Sequence, residues 1–174
     1  MNSKIYIEGI KIPKDRIAVL LGIKGRTKRA IQLKTNTRLV VDSREGDIEI
    51  NGEDSLDIIL CKQIIYAIAR GFNPKLALQL LDEENTLEVI DITDYTKKSK
   101  KRLIILRARL IGTKGKAKNL LEQLTNTAIE VYGKTAAIIG YHENVLLAKQ
   151  AIINLLQGSK HGNVYAYIGK HKRI

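Results

Sequence analysis

The chain has 174 residues, a formal net charge of +12 (30 Lys and Arg against 18 Asp and Glu) and 44% hydrophobic residues. That composition excludes a disordered polypeptide, no apolar run approaches the roughly 18 residues of a membrane span, and Met1-Asn2-Ser3-Lys4 opens no secretory signal. Cys61 is the only cysteine, which rules out a disulfide framework or a Cys-x-x-Cys zinc site and points to a cytoplasmic protein with a buried thiol.

In chain order, Ile5-Tyr6-Ile7 and Ile10-Lys11-Ile12 read as strand, stopped by Pro13. Asp15 is the candidate cap of a short helix that runs to Leu21 and is ended by Gly22. A second helix follows Gly25 as far as Lys34, with Ala30, Ile31 and Leu33 facing inward. Residues 38–42 and 47–50 are strands around a Glu45-Gly46 turn, the second with clean alternation. Residues 55–69 form an amphipathic helix whose buried stripe is Leu56, Ile59, Leu60, Ile64 and Ile68.

Asn73-Pro74 starts a further helix, and residues 87–91 look extended. This segment is too apolar for a free tether and is expected to pack the flanking units together. Beyond it, residues 103–106 read as a strand and 107–111 as a short helix, with a longer helix over 116–124. Residues 128–132 and 135–139 form a hairpin through Gly133-Lys134, and 144–156 close the unit as a helix. The rest, from Lys160 to Ile174, is basic and partly mobile; Val164, Tyr165 and Tyr167 either dock a partner or fold back onto the second unit.

The order repeats because the sequence repeats. Gly22-Ile23-Lys24-Gly25 returns as Gly112-Thr113-Lys114-Gly115, ninety positions on (112 − 22), and Thr35-Asn36-Thr37 returns as Thr125-Asn126-Thr127. Val41 pairs with Val131, and Lys62-Gln63 with Lys149-Gln150. A duplicated unit predicts an α+β protein of two β-α-α-β-β-α domains, each a three-stranded sheet packed on helices. The expected division is 1–72, an ordered linker at 73–97, a second domain at 98–159 and a basic tail at 160–174.

Charge follows the same repeat. Residues 16–41 hold seven basic side chains and residues 97–121 hold ten, with no acid in either window and one GxxG in each. Acids gather elsewhere, as in Asp82, Glu83, Glu84, Glu88, Asp91 and Asp94. Glycine at both ends of a short loop lets backbone N–H groups approach a phosphate, and the helix that follows adds its positive end. The candidate nucleic-acid-binding residues are Gly22, Ile23, Lys24, Gly25, Arg26, Lys28, Arg29 and Arg38, with Arg107, Arg109, Gly112, Thr113, Lys114, Gly115, Lys116 and Lys118 in the second copy. Ile17, Leu21, Leu39 and Val41, or Ala108, Ile111, Ile129 and Val131, are the expected apolar floors. With 5% aromatic residues, stacking platforms are not expected.

Leu20-Leu21-Gly22-Ile23-Lys24-Gly25 and Leu110-Ile111-Gly112-Thr113-Lys114-Gly115 resemble the signature of the K-homology (KH) domain, type I, whose GXXG loop clamps backbone nucleotides of single strands. Lys28 and Lys118 depart from the aliphatic residue usual in KH domains three positions after the second glycine. Across nearly the whole chain the sequence resembles archaeal members of the partner-of-Nob (Dim-two) family. The matching stretches are residues 10–17, 69–78, 87–92 and 132–140, with His161 and Val164-Tyr165. That resemblance implies binding to the 3′ region of small-subunit ribosomal RNA and to the PIN-domain endonuclease of the Nob family that trims it. It also covers the basic residue after the loop.

Catalysis is not expected, nor is a cofactor or metal. GIKG and GTKG lack the second half of a P-loop, and His142, His161 and His171 have no ligand spacing. Asp42, Asp47 and Glu49 flank a hairpin, where alternation puts them on a solvated strand face. The alternative to a sequence-reading RNA binder is an assembly scaffold with only nonspecific RNA affinity.

Overall fold

The computed structural model describes residues 5–172, which divide into two compact units between Asp82 and Glu83. In the first, β1 (Tyr6–Lys11) is followed by α1 (Lys14–Leu21), α2 (Arg26–Thr35), β2 (Arg38–Val41), β3 (Asp47–Gly52), α3 (Ser55–Ala69) and the short α4 (Pro74–Ala77). In the second, β4 (Asn85–Asp91) precedes α5 (Lys100–Ile111), α6 (Lys116–Thr125), β5 (Ala128–Tyr132), β6 (Thr135–Tyr141), α7 (His142–Leu156) and α8 (His161–His171). Both sheets are antiparallel with the last strand in the middle, β1-β3-β2 and β4-β6-β5. The expected α+β class and the β-α-α-β-β-α order therefore hold in each unit. No helix among the described residues is long and apolar enough to cross a membrane.

Strand alternation sets the inward face. Ile48 and Ile50 of β3 are buried, while Asp47 and Glu49 between them are exposed. Ile17 and Leu20 of α1, Ile31 of α2 and Ile58, Cys61 and Ile64 of α3 are buried with them. In the second unit Leu106, Leu110, Leu121, Ile129, Ile138, Val145 and Ile152 belong to one buried cluster. Cys61 is fully buried, accepts a hydrogen bond from Thr37 Oγ1 at 3.3 Å, and has its thiol pKa raised by burial.

The helix breaks are local. In both copies α2 and α6 end on an asparagine in the left-handed conformation, Asn36 at φ 50° and Asn126 at φ 52°. Thr35 Oγ1 donates to Ile31 O at 2.8 Å and lies 2.8 Å from Thr37 Oγ1; Thr125, Leu121 and Thr127 repeat the arrangement. Recurrence of Thr-Asn-Thr is thus the recurrence of one turn, with its threonines buried and its asparagine exposed. Asn73 caps α4 as expected, accepting from the Leu76 N–H at 3.0 Å.

Several expectations need correction. Residues 103–106 are helical: α5 starts at Lys100, where Ser99 Oγ accepts from the Arg102 N–H at 3.2 Å. The first strand of the second unit is β4, inside the segment expected to be a linker, and it pairs with β6 from Asn85↔Tyr141 to Asp91↔Thr135. A matched ion pair identifies it: Lys62 of α3 binds Glu8 of β1 at 2.8 Å, and Lys149 of α7 binds Glu88 of β4. The boundaries at 73, 98 and 160 give way accordingly, since α4 lies in the first unit and both β4 and α8 in the second.

The tail is the helix α8, whose Val164 and Ile168 are buried in the second unit's core cluster, so it folds back. Asp15 does not cap α1; Pro13 holds the cap position and Asp15 lies in the first turn. Leu33, Leu56 and Ile59 face solvent rather than the core.

Candidate nucleic-acid interface

Gly22 ends α1 at φ 67° and Gly112 ends α5 at φ 72°. A Cβ on Gly22 would lie 2.9 Å from the Thr27 backbone nitrogen, and one on Gly112 would lie 2.8 Å from that of Ala117. The first glycine of each loop is therefore required by the close return of the next helix. Gly25 and Gly115 are also left-handed, at φ 73° and 77°, but no atom crowds them closer than 3.8 Å. Their role is to present backbone.

Between the glycines, Lys24 at φ 51° and Lys114 at φ 54° adopt the left-handed conformation that ordinary residues rarely take. The loops close through Gly25 N–H to Gly22 O at 3.1 Å and Gly115 N–H to Gly112 O at 3.2 Å. Ile23, Lys24, Thr113 and Lys114 are exposed. Neither α2 nor α6 has a side-chain cap or an acid in its first turn. Each loop thus delivers an uncapped helix N-terminus, with a lysine beside it, to solvent.

Around the first loop, Arg29 Nη2 donates to Lys24 O at 2.8 Å and so holds the loop's shape from one turn inside α2. Arg26 is exposed, and Lys28 is half-buried with no side-chain partner among the described residues. Arg38 is exposed at the start of β2, at one side of an open groove of about 650 Å³ that also takes in Arg29, Gln32, Leu33, Asn36 and Gly52.

The second loop's surroundings differ. Lys116 is exposed, but Lys118 Nζ sits 3.4 Å from Glu122 Oε1 and 3.5 Å from Glu130 Oε1. The corresponding positions in the first unit are Gln32 and Val40. Arg109 is engaged elsewhere: its Nη2 donates to Ser159 O at 2.7 Å, while its own carbonyl lies 2.9 Å from His161 Nε2. It braces the turn into α8. Arg107 is half-buried, and its Nε has no hydrogen-bond partner among the described residues.

The apolar floors are narrower than expected. Ile17, Leu39 and Ile129 are core residues, Ala108 is exposed, and only Leu21, Val41, Ile111 and Val131 are half-buried. Gln32 and Glu122 escaped the sequence reading. Their Oε1 atoms accept from the Leu39 and Ile129 N–H groups, both at 2.8 Å, and hold the edge strand against the helix after the loop. Their ninety-residue spacing was the available signal. Asp42 is a turn residue, its carboxyl held below the usual aspartate value by the N–H groups of Arg44 and Glu45.

Residues 86–173 match the family model described as a eukaryotic type KH domain (KH-domain type I), and residues 7–67 match the KH domain model. KH domain-containing protein MJ0443 of Methanocaldococcus jannaschii is 41% identical over 171 residues, covering 96% of this chain and 74% of its own. The crystal structure of Dim2p from Pyrococcus horikoshii superposes with a TM-score of 0.88 at 42% identity, over 95% of this chain and 99% of that one. The chain belongs to the partner-of-Nob (Dim-two) family of two-KH proteins.

Another structure from Pyrococcus horikoshii, an a/eIF2alpha–aDim2p–rRNA complex, gives a TM-score of 0.89 at 42% identity, covering 95% of this chain and 93% of its own. Dictyostelium discoideum RNA-binding protein pno1 is 29% identical over 92% of this chain and 69% of its own length. The matched span 86–173 takes in α8 and all of β4 but Asn85, two elements that lie outside the expected second domain at 98–159.

Proposed function

We propose that this protein is a non-catalytic single-stranded RNA-binding factor of small-ribosomal-subunit assembly, with both GxxG loops holding RNA backbone. The observation that carries the reading is the pair of unhindered loops, each with a left-handed lysine and an uncapped, acid-free helix start. Phosphates meet the N–H groups at the beginnings of α2 and α6, and Lys24, Arg26, Lys114 and Lys116 add charge. Bases turn towards the half-buried Leu21 and Val41, or Ile111 and Val131, and towards the β2 or β5 edge. The RNA-binding names of its relatives and the rRNA in the aDim2p complex support this reading.

The RNA proposed is the 3′ region of small-subunit ribosomal RNA, and the protein partner proposed is the PIN-domain endonuclease of the Nob family. A labelled strand of that region, titrated beside a scrambled strand of equal length, tests the assignment. The ribosomal strand binds more tightly, and affinity falls with salt at a log–log slope of roughly −0.7 per phosphate contacted. Equal weak binding of the two strands would leave the scaffold reading in its place.

A further inference from the structure

The duplication makes each unit a control for the other, and one position on the helix before the loop sets them apart. Arg107 of α5 stands ninety residues after Ile17 of α1, and each lies five residues before the first glycine of its loop. Leu106 and Leu110 turn one face of α5 into the core, while Ile111, one turn after Arg107, is half-buried beside it. Helix α5 packs on α6 and touches the edge strand β5. Arg107 therefore shares the groove side of α5 with Ile111, about 7.5 Å along the axis from the loop that receives phosphate.

The first unit shows that the fold needs no cation at this place. Ile17 is 5% exposed, and its Cδ1 lies 3.8 Å from where a Cβ on Gly46 would stand, beneath the turn at 42–46. In the second unit only Gly133 and Lys134 join β5 to β6, and a Cβ on Gly133 would meet nothing within 4 Å. The shorter turn leaves this end of the groove open, and Arg107 is half-buried where Ile17 is core.

Among the described residues nothing pairs with the Arg107 guanidinium. Arg70, Arg107 and Arg109 each have an enclosed Nε without a hydrogen-bond partner. Arg109 still donates to Ser159 O, and Arg70 lies over the Tyr66 ring at 5.2 Å; no hydrogen bond or ion pair holds Arg107. Glu122 of α6 and Glu130 of β5, the acids of the two elements that flank the groove with α5, are both held by Lys118. A partly desolvated cation without a partner is destabilising. At a position that isoleucine fills in the sister unit, it points to a ligand that supplies the acceptors.

We propose that Arg107 reads one base of the RNA in the second groove, its two Nη groups donating to two adjacent acceptors. This inference rests on the RNA reading above and adds to it the class of base. Guanine carries such a pair at O6 and N7, and cytosine at O2 and N3, whereas neither adenine nor uracil sets two acceptors side by side. The first groove, with Ile17 in that place, makes no such distinction.

The test titrates the ribosomal strand, each nucleotide changed in turn to the other three bases, into wild type, Arg107→Ile and Arg107→Lys, read by fluorescence anisotropy. In the wild type one position favours guanine or cytosine over adenine and uracil by roughly tenfold or more, and which of the two it favours identifies the edge that is read. Arg107→Ile copies the first unit, so it keeps the unfolding temperature and the salt slope but loses that preference. Arg107→Lys keeps the charge without the planar fork and loses most of it. A preference unchanged in Arg107→Ile, or absent from the wild type, would overturn the proposal. So would an equal weakening of every strand with a shallower salt slope, which marks a phosphate contact. Amide shifts at residues 112–117 of the labelled wild type separate the two failures: their presence keeps RNA in the second loop whatever Arg107 does, and their absence would sink the RNA reading and this inference together.

Discussion

Lys118 Nζ lies 3.5 Å from Glu130 Oε1, joining the helix after the second loop to the free edge of its sheet. The first unit has Lys28 and Val40 at the same two places, an apolar side chain where the second has Glu130. Two domains that share backbone, turns and loop thus differ in the charge of the surface beside the loop.

Glu130→Val gives the second domain the first domain's residue and frees Lys118 from one of its two carboxylates. RNA affinity should rise roughly 3- to 10-fold, the scale of a partly exposed ion pair traded for a phosphate contact. The reverse change, Val40→Glu, should lower affinity by a similar factor. Fluorescence anisotropy at fixed salt measures both, and unchanged affinity in both variants would show that RNA does not pass this edge.

The two glycines of each loop should respond differently to alanine. Gly22→Ala and Gly112→Ala introduce a left-handed alanine and a contact below 3.0 Å with the next helix's backbone, a combination costing about 2–4 kcal/mol. Gly25→Ala and Gly115→Ala meet no such contact and should cost about 1 kcal/mol. Denaturant midpoints of the four variants read this difference.

How far the sequence exposed this architecture depends on the spacing of each repeat. The loops, the Thr-Asn-Thr turns and the helices after them keep one ninety-residue offset and were legible. β4 was not, because Glu8 and Glu88 stand eighty apart: a 3-10 turn and the longer α5 separate β4 from its loop. The run Leu103-Ile104-Ile105-Leu106 fits a buried strand as well as a helix, and only the Ser99 cap and the pairing of β4 decide it. Leu33, Leu56 and Ile59 misled for another reason. They are apolar at helical spacing yet lie on outward faces, and periodicity does not record which side of a helix is covered.

Removing α8 should destabilise the second domain, not merely shorten it. Truncation after Ser159 deletes the fully buried Val164 and Ile168, worth about 1.5–3 kcal/mol each. It also strips the Arg109 guanidinium of the turn it braces. Calorimetry should show a loss of several degrees or more in the unfolding temperature. An unchanged transition would mean that α8 contributes no core.

Acid dependence should appear at the β2–β3 turn. Backbone N–H groups of Arg44 and Glu45 lower the Asp42 pKa from 3.8, so its ionised form favours the folded state. The contribution is fully present above 3.8 and is lost as pH falls through the lower folded value. The gap in unfolding temperature between wild type and Asp42→Asn should therefore be open at neutral pH and closed at the acid end. A gap that persists there would assign the turn's stability to something other than this charge.

The central claim is that both loops hold RNA backbone, and amide resonances read it directly. Titration of the labelled protein with a single strand from the 3′ region of small-subunit ribosomal RNA should shift the N–H signals of residues 22–27 and 112–117 together. Ile23→Asp/Lys24→Asp and Thr113→Asp/Lys114→Asp should each silence their own loop alone. Shifts spread over the basic surface, with both loops unmoved and neither variant impaired, would contradict the account.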